Sequence, residues 1–326
     1  MNNKVNILLL FGGKSTENEI SIKSARNVYN YIDKKKYNIS LVYIDKNGDW
    51  YNIEDIYDLD NRIKVEDYVS IFKYIDLTFP LIHGKNGEDG SIQGFLETIG
   101  AKYIGSNILS SSVCLDKSLT KTILQSENIP VVESTLYRRG YTNFKDVCDI
   151  VENQLGYPVF IKPCTQGSSV GVNKAENISE LNDYLDIALK YDNKVLIEKA
   201  IVGRELEIGI IGNDKHIQSV IGEIILDEEF YTFENKYEKD TILKIPTELS
   251  LADTKKLENI AIKAFNILEC NDLARIDFLM DKQGNIFINE INTIPGFTSV
   301  SMFPLLFKET GYSQRKLLDE LIKYNL

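Results

Sequence analysis

The sequence predicts an α/β protein, α+β in part, that opens with a doubly wound parallel-sheet domain. Three observations predict this. First, the apolar run Val5-Asn6-Ile7-Leu8-Leu9-Leu10-Phe11 meets Gly12-Gly13, then a helical stretch over 20–32, then a second apolar run, Leu41-Val42-Tyr43-Ile44. Strand, glycine turn, helix and strand begin a doubly wound sheet, whose ligands lie beyond the strand C-termini. Second, 207–211 and 216–225 read as antiparallel strands, with His216 in an exposed, inert turn between them. Third, Ala274-Arg275-Ile276-Asp277-Phe278-Leu279-Met280 and the run from Asn285 to Asn292 read as two arms of a hairpin around Asp281-Lys282-Gln283-Gly284.

Composition narrows the classes. At 326 residues, with 43% hydrophobic and 26% charged residues, the chain reads as soluble and globular, with two or three domains. A net charge of −11 argues against nucleic acid as the main partner, though not against a nucleotide in a local basic pocket. Cys114, Cys148, Cys164 and Cys270 stand far apart without C-x-x-C spacing, which argues against a disulfide framework or zinc site. The N-terminal apolar run is too short for a membrane span and lacks a signal-peptidase site. A cytoplasmic protein with no membrane partner is expected.

Along the chain, Glu17 and Glu19 follow the first glycine turn, where acids complement a helix dipole. Residues 45–75 are acidic and lack a strong period, so they read as loops and short elements. Asp76-Leu77-Thr78-Phe79-Pro80-Leu81-Ile82 reads as a buried strand delivering His83-Gly84-Lys85-Asn86-Gly87-Glu88-Asp89-Gly90, with a helix through Glu97. A histidine with glycines and acids at a strand's C-terminal end is a site signal. Tyr103-Ile104-Gly105 reads as this domain's last strand. Residues 110–125 read as one helix, with Lys117 and Lys121 on its solvated face.

Pro158-Val159-Phe160-Ile161-Lys162-Pro163 is a strand ending in a lysine that must find a partner or solvent. The loop Cys164-Thr165-Gln166-Gly167-Ser168-Ser169-Val170-Gly171 then offers N–H and O–H donors, a phosphate cradle by chemistry although no P-loop pattern is present. A helix over 178–191 leads to Val195-Leu196-Ile197-Glu198-Lys199-Ala200, and Glu198 and Glu205 are candidate acceptors for an adenine amino group and ribose hydroxyls. Residues 227–240 mix aromatics with charges and fit either a lid or a plain loop. Helices over 253–268 and 314–323 complete the chain.

In the hairpin, alternation puts Arg275 and Asp277 on one face, and Glu290 and Asn292 on one face. A four-residue loop makes paired residue numbers sum to 565, so that Arg275 faces Glu290. Two carboxylates and an amide oxygen are what Mg²⁺ prefers when phosphates complete its shell. Asn292-Thr293-Ile294-Pro295-Gly296-Phe297-Thr298-Ser299 then turns sharply and brings backbone N–H groups beside them.

Taken together, Phe11-Gly12-Gly13-Lys14-Ser15-Thr16-Glu17, His83 to Gly90 with Gln93-Gly94, Lys162-Pro163 with Gly167 to Gly171, Ala274 to Asp277, and Asn289 to Thr298 closed by Ser301-Met302-Phe303-Pro304 resemble the D-alanine–D-alanine ligase family of the ATP-grasp superfamily. The resemblance covers essentially the whole chain. It implies an N-terminal domain over 1–105, a central domain over 106–197 and a C-terminal domain over 198–326, the latter two clasping ATP between their sheets. It implies an ATP-dependent ligase forming D-Ala–D-Ala for peptidoglycan precursors through an acyl phosphate, and a homodimer.

By the same resemblance, Lys117, Lys162, Ser169, Glu198 and Glu205 surround ATP, and Asp277, Glu290 and Asn292 hold two Mg²⁺ ions, for which Mn²⁺ can substitute. Arg275 and Gly296 serve the oxyanion; Glu17, Ser168, Tyr237 and His83 hold the first D-alanine; Lys236, Ser301 and Met302 receive the second, under a 227–240 lid. Two departures touch this picture: Thr232 stands where many members' lid motif has Asp, and Val300 where many carry His. Two alternatives remain. One is a D-alanine–D-serine ligase of the vancomycin-resistance type, against which Met302 argues because such enzymes tend to have arginine there. The other is a catalytically silent nucleotide-binding regulator on the same fold, against which the intact Lys162, Arg275, Asp277, Glu290 and Asn292 argue.

Overall fold

The computed structural model describes residues 4–225 and 242–326. The first apolar run forms β1 (Val5–Gly12), followed by α1 (Asn18–Tyr31), β2 (Tyr37–Ile44), β3 (Trp50–Ile53), β4 (Arg62–Lys64) and β5 (Leu77–Pro80). These strands make one sheet in the order β4-β3-β2-β1-β5. The central β2-β1-β5 ladder is parallel and the β3 and β4 edge antiparallel. β1 is buried on both faces, which is why it reads as a continuous apolar run rather than an alternating one. Gly12 ends it at φ +96°, where a Cβ would stand 2.1 Å from the Ile44 carbonyl oxygen, so the turn toward Glu17 depends on glycine. Tyr103 contributes only an isolated bridge to Thr78, not a strand.

After α2 (Ser91–Thr98), the expected single helix is two, α3 (Ile108–Leu115) and α4 (Lys117–Ser126). Asp116 separates them. Its side chain accepts from the Ser118 and Leu119 amides and so caps a new helix, a role that competes with helix continuation. β6 (Ser134–Arg138), α5 (Phe144–Ile150), β7 (Val159–Pro163), β8 (Asn173–Ala175), α6 (Ile178–Ala188) and β9 (Lys194–Lys199) follow, and the strands pair antiparallel as β6-β9-β7-β8. The third sheet is antiparallel, ordered β12-β11-β10-β13-β14, from β10 (Gly203–Ile211), β11 (Ile217–Ile225), β12 (Ile242–Lys244), β13 (Leu273–Asp281) and β14 (Ile286–Asn292). α7 (Leu251–Ile267) packs its buried Leu257, Ala261, Ala264 and Phe265 against this sheet.

Two cores run across sequence-distant segments. Cys114, Leu124, Ile129 and Val131 join the core of the third sheet, with Leu206, Ile208, Ile276 and Phe278. α8 (Met302–Glu309) and α9 (Gln314–Lys323) pack instead into the core of the first sheet. A train of aromatic rings, Phe79, Phe297, Phe303 and Phe307, with centroids 5.0–5.6 Å apart, ties β5 of the first sheet to the turn after β14 and to α8. His216 is half-buried rather than exposed: its ring meets Phe265 edge to face and its Nε2 bonds Asn266 Oδ1 at 2.7 Å.

The hairpin register also differs from the expectation. Arg275 pairs with Asn292 and Asp277 with Glu290, while Phe278 pairs with Ile288. Two causes act. The loop is one residue shorter, 282–284, closed by the Asp281 amide donating to the Asn285 carbonyl, with the Asp281 side chain accepting from the Asn285 and Gln283 amides and Gly284 at φ +83°. Asn289 is then an extra residue in β14, a bulge that shifts the register beside the site.

Candidate active site

A cavity of about 540 Å³ opens between the second and third sheets, lined by Lys117, Lys162, Ser168, Ser169, Glu198, Glu205, Glu207, Asp277, Asn289 and Glu290, among others. An open cleft of about 970 Å³, beside Lys4 and Asp76, shares none of these residues.

Each lysine is placed by its element. The Asp116 cap and its ion pair with Lys194 fix the start of α4, and the Lys117 amide donates to the Cys164 carbonyl at 3.0 Å. Lys117 Nζ then reaches the Gln166 carbonyl at 2.8 Å and Glu290 at 3.6 Å. Lys162, at the exit of β7, donates to Glu198 Oε2 at 2.6 Å and to Asn289 Oδ1 at 3.2 Å.

Lys121 contradicts the expected solvated face: it is 4% exposed, with its ammonium 2.6 Å from Glu198 Oε1. Glu198 lines the cavity, and its two side-chain oxygens each meet a lysine, a geometry that anchors Lys162 and leaves further lone pairs as acceptors. Burial works against the Glu198 charge, but the two lysines hold its pKa down to about 2. Burial also opposes the Lys162 charge, yet Glu198 above all keeps its pKa above the ordinary lysine value.

On the third sheet, Glu207 on β10, Asp277 on β13 and Glu290 on β14 stand in one cross-strand row. Arg275, 8% exposed, donates to both Asp277 oxygens at 2.7 and 2.8 Å and reaches Glu207 at 2.9 Å. Against the penalty of burial, Asp277 and Glu207 hold the guanidinium pKa well above its usual value, so Arg275 is a fixed cation. Asn292 donates its amide nitrogen to Asp277 Oδ2 at 2.9 Å, leaving its oxygen as the acceptor end.

Asp277, Glu290 and Asn292 are hard oxygen donors on one face. Among the described residues no group of three or more His, Cys, Asp or Glu side chains is disposed to hold a metal by itself. Such a donor set fits Mg²⁺, which takes one or two carboxylates and completes its shell with phosphate oxygens and water.

A second locus lies at the C-terminal edge of the first sheet. Ser168, in the loop after β7 at φ +50°, donates its hydroxyl to Glu17, joining the segment after β1 to the loop after β7. Gly84, at φ +71°, leaves room for Glu17: a Cβ there would stand 2.6 Å from Glu17 Oε2. His83 is 3% exposed, with Nε2 at 3.0 Å from Ser24 Oγ, Nδ1 at 3.1 Å from the Ile294 carbonyl and Glu88 at 3.7 Å. Burial pulls the His83 pKa down, but Glu88 and Glu17 outweigh it and hold it above the ordinary histidine value, while burial raises that of Glu88.

Ser301 Oγ bonds Thr298 and lies against Gly296, and Met302 is buried against Gly222. Lys236, Tyr237, Thr232 and the expected lid over 227–240 lie outside the described residues.

Sequence reasoning missed Glu207, Lys121 and Asn289 as parts of this site. For Glu207 a signal existed: Glu205-Leu206-Glu207 alternates acid and apolar side chains at strand period, which points both acids to one face.

Comparisons with known proteins agree over the whole length. A model of the D-ala D-ala ligase N-terminus matches residues 6–106 and one of the D-ala D-ala ligase C-terminus matches 123–323. The chain is similar to a D-alanine–D-alanine ligase of Clostridium acetobutylicum, 42% identical over 98% of this chain and 97% of the relative. Among solved structures it is similar to the VanG D-Ala:D-Ser ligase of Enterococcus faecalis, with TM-score 0.90, 33% identity, and 99% and 100% of the two chains covered. It is also similar to the D-alanine–D-alanine ligase of Bacillus anthracis complexed with ATP, with TM-score 0.79, 29% identity, and 98% and 97% covered.

Proposed function

The chain belongs to the D-alanine–D-alanine ligase family, and from that premise we propose how its two loci divide the work. Its reaction is the ATP-dependent joining of two D-alanine molecules into D-Ala–D-Ala, a peptidoglycan precursor, with release of ADP and phosphate. The observation that carries the assignment of roles is the convergence of Lys117, Lys162 and the facing Asp277–Glu290 pair on one cavity.

In this reading the cavity holds ATP. Lys117 and Lys162, with the Ser168–Ser169 loop, face its phosphates, and Glu205 its ribose. Asp277, Glu290 and Asn292 would hold Mg²⁺, or Mn²⁺ in its place, which neutralises phosphate charge when bound. Phosphoryl transfer needs positioning and charge neutralisation more than a strong base, and fixed cations on a walled cavity provide both.

Glu17, supported by the Ser168 hydroxyl and with Tyr237, binds the ammonium of the first D-alanine, while His83 orients it from its bonds to α1 and the Ile294 carbonyl. The carboxylate of that first D-alanine attacks the γ-phosphate and displaces ADP, giving an acyl phosphate. The second D-alanine, its carboxylate bound by Ser301 and Lys236 and its methyl against Met302, then attacks the acyl carbon through its free amine. Arg275 and the Gly296 N–H stabilise the oxyanion as phosphate leaves.

The division at 1–105, 106–197 and 198–326 is proposed on the same footing, with one sheet for each part, save that β9 crosses the second boundary. A cytoplasmic homodimer completes the reading. Among the described residues no helix is long and apolar enough to cross a membrane.

The test is phosphate release from Mg-ATP with D-alanine alone, then with D-serine or D-lactate added, the products identified by mass. D-Ala–D-Ala from D-alanine alone is expected. A dominant mixed product with D-serine would overturn the second-pocket reading, and loss of no activity in Asp277→Asn would overturn the metal assignment.

A further inference from the structure

Lys117 and Lys121 lie one turn apart on the same face of α4, yet they meet different surroundings. Lys117 lines the cavity; Lys121 lies behind it, 4% exposed, with its ammonium 2.6 Å from Glu198 Oε1 and 3.2 Å from the Val132 carbonyl. The other Glu198 oxygen is 2.6 Å from Lys162, the one lysine of this triad that borders the cavity. Two lysines share one carboxylate, so the triad keeps a net charge of +1. Burial pushes the Lys121 pKa down, against Glu198, which raises it. Ion pairs this deeply buried commonly add little to stability over an apolar replacement, which makes stability a poor reason for the lysine.

We propose that Lys121 is a positioning residue for nucleotide binding: it neutralises Glu198, so that Glu198 orients Lys162 toward the cavity without cancelling the positive charge offered to phosphates. Without Lys121, Glu198 and Lys162 form a neutral pair and the cavity loses most of the attraction that Lys162 supplies. The inference rests on the reading that this cavity holds ATP.

Calorimetric titration of ATP and of adenosine tests it on the wild-type protein and on Lys121→Met, Lys121→Arg, Lys162→Met and the double variant Lys121→Met with Glu198→Gln, with the unfolding midpoint of each recorded. Lys121→Met is expected to weaken ATP about tenfold and adenosine by less than about twofold, because adenosine carries no phosphate. Lys121→Arg retains ATP affinity. The double variant recovers most of what Lys121→Met lost, since the Lys162 charge is no longer matched, a non-additivity that a merely structural role does not produce.

Equal losses for ATP and adenosine, or a double variant no tighter than the single, would overturn the proposal. If Lys121→Met does not fold, Lys121→Gln, which keeps a donor to Glu198 but no charge, replaces it with the same expected outcome. Lys162→Met separates the two levels. Unchanged ATP affinity there sinks the cavity reading itself, whereas weakened ATP there with intact affinity in Lys121→Met sinks only the role of Lys121.

Discussion

Asp277 stands directly opposite Glu290 on the neighbouring strand, and the residue that puts it there is Asn289, which has no partner position on β13. The same bulge turns Asn289 toward Lys162, whose ammonium it meets at 3.2 Å. One extra residue thus aligns the two carboxylates of the third sheet and joins that sheet to the lysine of the second. Bulges beside active sites commonly re-aim side chains in this way.

Replacing Asn289 by Ala removes that tie but leaves the bulge. A hydrogen bond to a charged group is worth about 1.5–3 kcal/mol, so the KM for ATP should rise roughly tenfold or more. The fold should be kept, because Asn289 lines an open cavity rather than a core. Steady-state kinetics against ATP check this, and an unchanged KM would show that Lys162 is held by Glu198 alone.

Arg275→Met should be costly in two independent ways. It leaves Asp277 and Glu207 buried without their shared cation, which typically destabilises by about 3–5 kcal/mol. It also removes a donor from the proposed oxyanion site, a loss worth on the order of 10²–10³ in kcat. Arg275→Lys keeps the charge but not the two-pronged bond to Asp277, and should recover stability more than activity. Denaturant unfolding and kcat on both variants decide; a stable but inactive Arg275→Met would place Arg275 in the chemistry and remove it from the fold.

Much of this architecture was legible beforehand because the signals were local. The β1 turn, the loop after β7 and the turn after β14 each announce themselves within a dozen residues. What was not legible depends on partners far away in sequence. Lys121 reads as solvated until Glu198, on another element, is known to face it. The hairpin register hung on a bulge at Asn289, a position with no glycine or proline to mark it. The break at Asp116 was readable in principle, since Asp is a preferred N-cap residue, but an unbroken helical pattern outweighed it.

Gly222 backs Met302: a Cβ there would stand 2.8 Å from the Met302 sulfur and 2.8 Å from Leu306 Cδ2. Gly222→Ala should push Met302 toward the second-substrate pocket. Overpacking typically costs about 1–3 kcal/mol, so incorporation of the bulkier D-serine relative to D-alanine should fall by roughly tenfold. The product ratio from an equimolar mixture, read by mass, checks it. An unaltered ratio would remove Met302 from the wall of that pocket.

The Glu198 carboxyl gives the acid limb of stability a definite sign. Its pKa is lowered from 4.5 to about 2 in the folded protein. A depressed carboxylate contributes stability that is fully present above the unfolded value and is lost as pH falls through the folded one. The loss should therefore develop between pH 4.5 and about 2, and it should amount to roughly 3 kcal/mol at one pKa unit per 1.36 kcal/mol. Glu198→Gln cannot titrate, so its unfolding free energy should fall less steeply over that window, although it starts lower because two buried lysines lose their counter-charge. Urea unfolding at a series of acid pH values measures both slopes. Equal slopes would mean that the carboxylate is not held by the lysines as the geometry has it, and the charge balance that places Lys162 at the cavity would have to come from elsewhere.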